Sequence, residues 1–334
     1  MVYGIALRWY HNAMYQDPYN RQYRKLRVSL TAACNYACQY CVPDGKKLLK
    51  AKHEMSVEQF IQAISLIVES AGIEQLRITG GEPLISNKLE AFLEGLKSLN
   101  IPELCLTTNG QFLEQKLPAL LDAGVNRINV SLDTLDPIRF KEICRGGDLD
   151  TVLRGIDKAV EAGVKLKINM VPLKQHNTDQ VVPMLEYCLE RGIELRYIEL
   201  MKMGHLASGD EYRQEFWSMK SLLDQISTQY DYAPTHAPVD STAVRFQIPG
   251  KGEFGIIANE SKPFCRTCSR LRLSSAGFIY GCLSSSRRHY IADLLLLERA
   301  SGLEAMHQVL GGAMKDKQDL VFTGETTVMK MIGG

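Results

Sequence analysis

Between Leu26 and Leu200 the chain repeats one unit, a short apolar strand, a loop and an amphipathic helix, and no other feature narrows its fold as much. The strand candidates are Leu26–Leu30, Gln75–Thr79, Leu104–Thr108, Arg127–Leu132, Leu166–Val171 and Leu195–Leu200. After the first of them, Val57, Phe60, Ile61, Ile64 and Val68 fall on one helical face behind a capping box of Ser56 and Gln59. Gly72, Gly124, Gly163 and Gly192 each stand between a helical pattern and the next strand, where a left-handed residue closes a helix. Such alternation predicts a parallel sheet with right-handed crossovers, open or curved into a barrel.

Side-chain parity along the strands says more than their number. Helices must cover an apolar face, so the polar residues face the other way, into a lumen. The inward sets are Arg27, Ser29 and Thr31; Arg77 and Thr79; Cys105, Thr107 and Asn109; Asn129, Ser131 and Asp133; Lys167 and Asn169. A closed eight-stranded barrel fills its interior with branched apolar side chains, so a polar, cationic lumen implies an enclosed ligand. The sixth strand breaks the parity, because Arg196 and Glu199 cannot both point inward from a regular strand. The predicted fold is α/β, an incomplete (β/α)6 TIM-like barrel with a smaller C-terminal layer over its mouth. After Asp210 the rhythm is lost, leaving strand-like alternation at Val244–Ile248, a cysteine-bearing stretch from Phe264 to Leu283, and helical patterns at Ile291–Arg299 and Leu303–Leu310. The expected division is a barrel core over 1–215 and a C-terminal region over 216–334.

A formal charge of +1 without long single-sign runs argues against nucleic-acid or membrane-surface binding. No run of eighteen apolar residues occurs and Met1–Arg8 lacks a long apolar segment with a cleavage site, so a cytoplasmic protein is expected. Nine cysteines would then stay reduced, and their spacing points to metal or catalysis before disulfides. Cys105, Cys144 and Cys188 are scattered and read as buried inert thiols.

The other six cysteines form two clusters. Cys34, Cys38 and Cys41 share one short loop beyond the first strand, where functional loops of strand–helix barrels gather. A structural zinc site takes four ligands, whereas three cysteines leave one iron of a four-iron cluster open to chemistry. Zinc or unligated thiols are the competing readings. Cys265, Cys268 and Cys282 are again three, with zinc completed by His289 as the rival to a second open cluster.

CxxxCxxC after the first strand, followed by Gly80-Gly81-Glu82-Pro83 after the second, resembles the radical S-adenosylmethionine superfamily. Alone, the second motif would be an ordinary turn. The resemblance implies that Cys34, Cys38 and Cys41 hold a [4Fe-4S] cluster whose open iron chelates S-adenosylmethionine, with Gly80, Gly81 and Glu82 at its amino group. Reductive cleavage then gives a 5′-deoxyadenosyl radical, with the protein supplying orientation and exclusion of water.

The second cysteine segment, with Thr107–Gly110 (TTNG), Ser131–Asp136 (SLDTLD), Lys167–Asn169 (KIN) and a chain ending Ile332-Gly333-Gly334, resembles the GTP cyclase family that opens molybdenum-cofactor biosynthesis. The resemblance covers nearly the whole chain. It implies a second [4Fe-4S] cluster on Cys265, Cys268 and Cys282 that holds guanine, while the radical takes hydrogen from ribose C3′ and the carbon radical attacks guanine C8. It assigns Tyr40, Asn109 and Ser131 to the S-adenosylmethionine side. Arg21, Arg77, Thr108, Lys167, Arg196, Arg270 and Arg272 go to GTP, and Ser131 matches a GTP position as well. Arg21, Arg270, Arg272 and the tail Gly333–Gly334 are the implied catalytic set. An electron donor such as flavodoxin or ferredoxin, and a homodimer, are the expected partners.

Physics independently favours an anion here, because cations facing a confined lumen repel unless a multiply charged ligand accompanies them. The chain also departs from the family pattern. Ala32-Ala33 replace Asp-Arg, Gln75 replaces a lysine, Ser86 an arginine and Lys202 a proline, and Thr326–Thr327 occupy a tail that usually carries arginine. Two rivals follow: a radical enzyme acting on a peptide or other small molecule, and a non-catalytic metal-stabilised binding protein.

Overall fold

The computed structural model describes residues 16–42, 45, 51–207, 209–319 and 322–324. Met1–Arg8, Thr326–Thr327 and Gly333–Gly334 lie outside the described residues. Strands β1 (Lys25–Ser29), β2 (Gln75–Thr79), β3 (Glu103–Thr108), β4 (Val125–Ser131), β5 (Lys165–Met170) and β6 (Glu194–Ile198) run parallel, side by side in chain order. Each expected strand is found within two residues of its expected bounds. Helices α1 (Val57–Ala71), α2 (Leu89–Leu96), α3 (Leu113–Asp122), α4 (Pro137–Cys144), α5 (Leu149–Glu161) and α6 (Val181–Glu190) make the crossovers. Ser56 and Gln59 exchange both bonds of the capping box, and Gly72 closes α1 at φ 66°, a conformation costly for any residue with a Cβ.

The expected parity holds. Leu26, Val28, Leu76, Ile78, Leu104, Leu106, Ile128 and Val130 turn outward into one buried cluster with helix residues Phe60, Ile64, Phe92, Leu120, Val152 and Ile156. Burying side chains of this size contributes roughly 1.5–3 kcal/mol each, which anchors the strands that carry the lumen residues.

The C-terminal region joins the same sheet at both ends. After the short helices α7 (Asp210–Glu215) and α8 (Met219–Ile226) come β7 (Ala233–Thr235), β8 (Val244–Ile248), β9 (Gly252–Ile257), β10 (Arg270–Leu273), β11 (Phe278–Tyr280) and β12 (His289–Tyr290). β9 pairs in parallel with β6, Leu195 beside Phe254, and β10 pairs in parallel with β1, Leu26 beside Leu271. The order is β12-β11-β10-β1-β2-β3-β4-β5-β6-β9-β8-β7, so the six parallel strands become eight, with an antiparallel pair outside each edge. Arg270 on one arm and Arg245 on the other line a single cavity of about 640 Å³, so the sheet curls into the expected partial barrel. Helix α9 (Arg299–Lys315) supplies Met306, Leu310 and Ala313 to the main core; the pattern at Ile291–Arg299 is a short turn of 3-10 helix over Ala292–Leu296.

The parity conflict at β6 also resolves. Regular pairing stops at Ile198, and Glu199 turns its carboxylate to the backbone N–H groups of Met219 (2.7 Å), Glu260 (3.0 Å) and Ser261 (2.9 Å). Arg196 keeps the inward position. Among the described residues no helix is long and apolar enough to cross a membrane.

Candidate active site

The first cysteine loop leaves β1 and is zipped to the Gly80-Gly81-Glu82 segment leaving β2. The N–H of Gly81 donates to Thr31 O and that of Glu82 to Ala33 O, both at 2.8 Å. A Cβ on Gly81 would come within 2.3 Å of the Ala33 carbonyl oxygen, and one on Gly80 within 2.5 Å of that of Thr31, so only glycine permits this approach. Glu82 is buried and its carboxylate accepts from Leu84 N (3.0 Å), the Thr108 hydroxyl (2.7 Å) and Asn109 N (2.7 Å). Burial outweighs those bonds and pushes its carboxyl up to about 7. Thr108 is thereby tied to Glu82 and Gly110, while the Asn109 amide donates to Asn35 (2.8 Å). Tyr40 donates to Asp133 (2.8 Å), whose carboxyl burial pushes up to about 6. Ala37 N and Gln39 N bond the carbonyls of Cys144 and Ile143 at the end of α4, pinning the loop from below. Cys144, read from sequence as inert, lies within hydrogen-bond reach of the Cys38 thiol.

Cys34, Cys38 and Cys41 all line the large cavity. Among the described residues no three His, Cys, Asp or Glu side chains converge as a single metal ion requires. A closed zinc site needs such convergence, whereas a four-iron cluster takes each thiolate at a different iron. Burial pushes the Cys34 thiol up to about 12, and the Cys144 contact and burial push that of Cys38 higher than usual. Thiols so placed become thiolates only with a metal beside them, so the donor set fits an iron–sulfur cluster.

Below this loop the cavity wall is cationic, and the cations fall into two groups. Some are matched by acids: Lys167 (2.6 Å) and Arg245 (3.2 Å) share Glu194, Arg127 meets Glu103 (2.9 Å), and Lys25 meets Asp240 (2.7 Å). Gln75, where the family has lysine, donates to the same Glu103. Arg27, Arg77, Arg196 and Arg270 have no carboxylate partner among the described residues. Arg77 donates to Leu106 O (3.3 Å) and Thr107 Oγ1 (3.4 Å), and Arg270 lies over the Phe264 ring at 4.5 Å. Buried Arg196 Nε and Arg270 Nη2 have no acceptor, and burial with Arg77 nearby pushes Arg196 down to about 9.

Cys265, Cys268 and Cys282 line a second cavity of about 50 Å³ beside β10, together with Arg21, Arg272 and Lys317. Arg270 lines both cavities, so they share a wall. Arg21 is buried, ion-paired with Asp17, and donates to the carbonyls of Cys265 (2.9 Å) and Gln318. Lys317, which sequence reasoning missed, donates from Nζ to Arg270 O (2.7 Å), Gly281 O (3.1 Å) and Cys268 Sγ (3.5 Å). Burial would raise the Cys268 thiol, but Lys317 and then Arg270 overcome it and hold it at about 5. Burial pushes Cys265 up to about 11 and, with Arg270 beside it, pushes Arg272 down to about 10. His289 is not at this cavity. Its Nε2 bonds Asp316 at 2.8 Å, which removes the reading of a zinc site completed by that histidine.

The structure thus gathers Cys34, Cys38, Cys41, Tyr40, Gly80, Gly81, Glu82, Arg77, Thr108, Asn109, Ser131, Lys167, Arg196 and Arg270 around the large cavity, and Arg21, Arg270, Arg272, Cys265, Cys268 and Cys282 around the small one. Gly333 and Gly334 lie outside the described residues.

Residues 28–188 match the family model of the radical SAM superfamily, and residues 193–322 that described as Molybdenum Cofactor Synthesis C. The GTP 3′,8-cyclase of Synechocystis sp. is 35% identical over 283 residues, 85% of this chain and 86% of the relative. That of Saccharophagus degradans is 36% identical over 313 residues, covering 92% and 93% of the two chains. Among solved structures, Streptococcus suis SuiB superposes with a TM-score of 0.66 at 16% identity, over 94% of this chain and 73% of the other, a likeness of fold alone. SuiB bound to S-adenosylmethionine gives 0.65 over 93% and 70%, also at 16% identity.

Proposed function

Because the chain belongs to the radical S-adenosylmethionine superfamily and, within it, to the GTP 3′,8-cyclase family, we propose that it rearranges GTP to 3′,8-cyclo-7,8-dihydroguanosine 5′-triphosphate, the first step of molybdenum-cofactor biosynthesis. Cys34, Cys38 and Cys41 would hold the cluster that binds S-adenosylmethionine, and Cys265, Cys268 and Cys282 a second cluster. When bound and reduced, the first supplies the electron that cleaves S-adenosylmethionine to a 5′-deoxyadenosyl radical. An electron donor of the flavodoxin or ferredoxin type completes the system.

The observation that carries the substrate is the set of lumen arginines without carboxylate partners, Arg27, Arg77, Arg196 and Arg270. Guanidinium groups bind phosphate oxygens through paired, charge-assisted bonds, and a triphosphate brings enough negative charge to offset the four. Arg270, on the wall shared by both cavities, spans the junction between phosphate and base. Arg272 and the cysteines of the small cavity take the guanine end, where Arg21 braces the Cys265 and Gln318 segments. Around the first cysteine loop, Tyr40, Glu82, Asn109 and Ser131 shape the S-adenosylmethionine pocket and keep water from the reacting carbon.

A second reading, a paralogue acting on a less charged small molecule, is favoured by Glu103 and Glu194, which neutralise Arg127, Lys167 and Arg245. The test is anaerobic reconstitution with S-adenosylmethionine, dithionite and GTP, followed by mass spectrometry. Both 5′-deoxyadenosine and a cyclised guanosine triphosphate are expected. Deoxyadenosine with no GTP-derived product overturns the substrate assignment and points to the paralogue.

A further inference from the structure

We infer that Cys144 is a resolving thiol for the first cysteine loop: in cluster-free protein, peroxide acting on Cys38 ends in a disulfide between Cys38 and Cys144, which withholds the loop from iron and spares it from deeper oxidation. The linkage depends only on the two thiols; its bearing on cluster uptake rests on the reading above.

The two segments are laced together around Cys38. Ala37 N donates to Cys144 O and Gln39 N to Ile143 O, both at 3.0 Å, so Cys38 sits between two backbone bonds to the last turn of α4. Segments joined in this way lie about 5 Å apart, within the roughly 4.4–6.8 Å between Cα atoms that a disulfide spans. The clasp continues past the helix end: Arg145 closes α4 at φ 50°, and its Nη1 donates to Val42 O at 3.0 Å. The two thiols meet across this clasp, within hydrogen-bond reach. They are also arranged in depth. Cys38 lines the large cavity, where a small solute can enter, and Cys144 is buried behind it at 5% exposure.

A buried thiol ordinarily behaves as a small inert hydrophobe. One that touches a thiol open to an oxidant does more, because it can intercept the first oxidation product. A peroxide oxidises the Cys38 thiol to a sulfenic acid; its O–O bond breaks and one water leaves. The Cys144 sulfur then attacks the Cys38 sulfur, the S–O bond breaks, and a second water leaves with the Cys144 proton. Two thiols are oxidised to one disulfide while one peroxide is reduced to two waters. With Cys38 so engaged, the loop lacks one of the three thiolates a cluster needs, until a thiol reductant restores it.

The test uses reduced, chelator-stripped full-length wild type and Cys144→Ser, each treated with stoichiometric hydrogen peroxide. One portion is alkylated, digested and mapped by mass spectrometry; the other is reduced with dithiothreitol, reconstituted anaerobically with iron and sulfide, and its iron counted. Wild type is expected to yield a peptide pair linked through Cys38 and Cys144 and to regain its iron. In Cys144→Ser, Cys38 should run on to the sulfinic acid, which dithiothreitol does not reduce, so the iron regained falls by one cluster of two, about half. Oxidation at the second triad is common to both proteins and cancels. Cys38 joined to Cys34 or Cys41, or Cys144 recovered alkylated while Cys38 is oxidised, overturns the inference. Equal iron recovery by the two proteins also overturns it, since Cys144 then spares nothing. A Cys38–Cys144 linkage in wild type whose reduced form takes up no more iron than Cys38→Ala upholds the disulfide and overturns the cluster reading. Should Cys144→Ser not fold, Cys144→Ala takes its place, and if neither folds the wild-type map decides alone.

Discussion

Glu82 and Asp133 act on the thiols of Cys34 and Cys38, whereas Lys317, Arg270 and Arg272 act on that of Cys268. The same three-thiol donor set therefore stands in two opposite fields. At the first, burial holds Cys34 up at about 12 and Glu82 adds to the rise; at the second, Lys317 and Arg270 hold Cys268 at about 5 despite burial. The first site must obtain its thiolates from the metal itself, while the second has one ready. The guests differ accordingly. On the proposed function, S-adenosylmethionine would bring a sulfonium and an amine beside Glu82 and Asp133, and GTP would bring its guanine to the second triad and its phosphates to the lumen arginines.

The largest expected effect comes from removing one thiol at each site. Cys38→Ala should abolish 5′-deoxyadenosine formation, whereas Cys282→Ala should spare it and abolish the GTP-derived product and tight GTP binding. Loss of deoxyadenosine in both variants would show that the two sites do not act separately. A smaller effect tests the field at the second site. Lys317→Met keeps the chain length but removes the ammonium from Cys268 Sγ, Arg270 O and Gly281 O. Iron at the second triad should be retained about 10- to 100-fold less tightly against a chelator, with the first triad unaffected, as judged by iron content and cluster absorbance. Unchanged retention would mean that the arginines alone suffice.

The smallest effect concerns Glu82. Its carboxyl is raised from 4.5 to about 7 in the fold, so the folded chain binds the proton more tightly than the unfolded one. That contribution is fully present below pH 4.5 and is lost as pH rises through 7. Metal-free protein should therefore lose a few degrees of Tm between pH 5 and 8. Glu82→Gln should be less stable throughout, since one of the accepting oxygens becomes a donor, but its Tm should vary less with pH. A parallel pH profile in the variant would move the titration to another group.

The elements were legible because their signals are local. The face Val57, Phe60, Ile64, Val68 and the Ser56–Gln59 box are set within a few residues, and so is the alternation that turns Arg77 inward and Ile78 outward. What escaped was long-range. Nothing near Arg270 announces that it will pair beside Lys25, so the widening of the sheet to eight parallel strands could not be read. Arg27 was placed in the lumen by parity, yet its lack of an acid depends on where Asp240, Glu103 and Glu194 come to rest. Lys317 follows a helix in a stretch of lysines and aspartates that looks like solvated surface. The conflict between Arg196 and Glu199 assumed a strand that continues, and the strand ends between them, where three backbone N–H groups capture the carboxylate.

The pairing of β10 with β1 also has a consequence in time. As the chain leaves the ribosome, β1 gains β2 as soon as Thr79 is made, but its other edge waits for Arg270–Leu273. At about 5–20 residues per second that interval is roughly 10–40 s, during which the strand carrying Arg27 presents unsatisfied backbone groups to solvent or to another nascent copy. The β6 edge waits in the same way for β9. The last quarter of the chain is thus what seals a sheet begun at its start, and synthesis that stops short of residue 252 releases a product with two sticky edges.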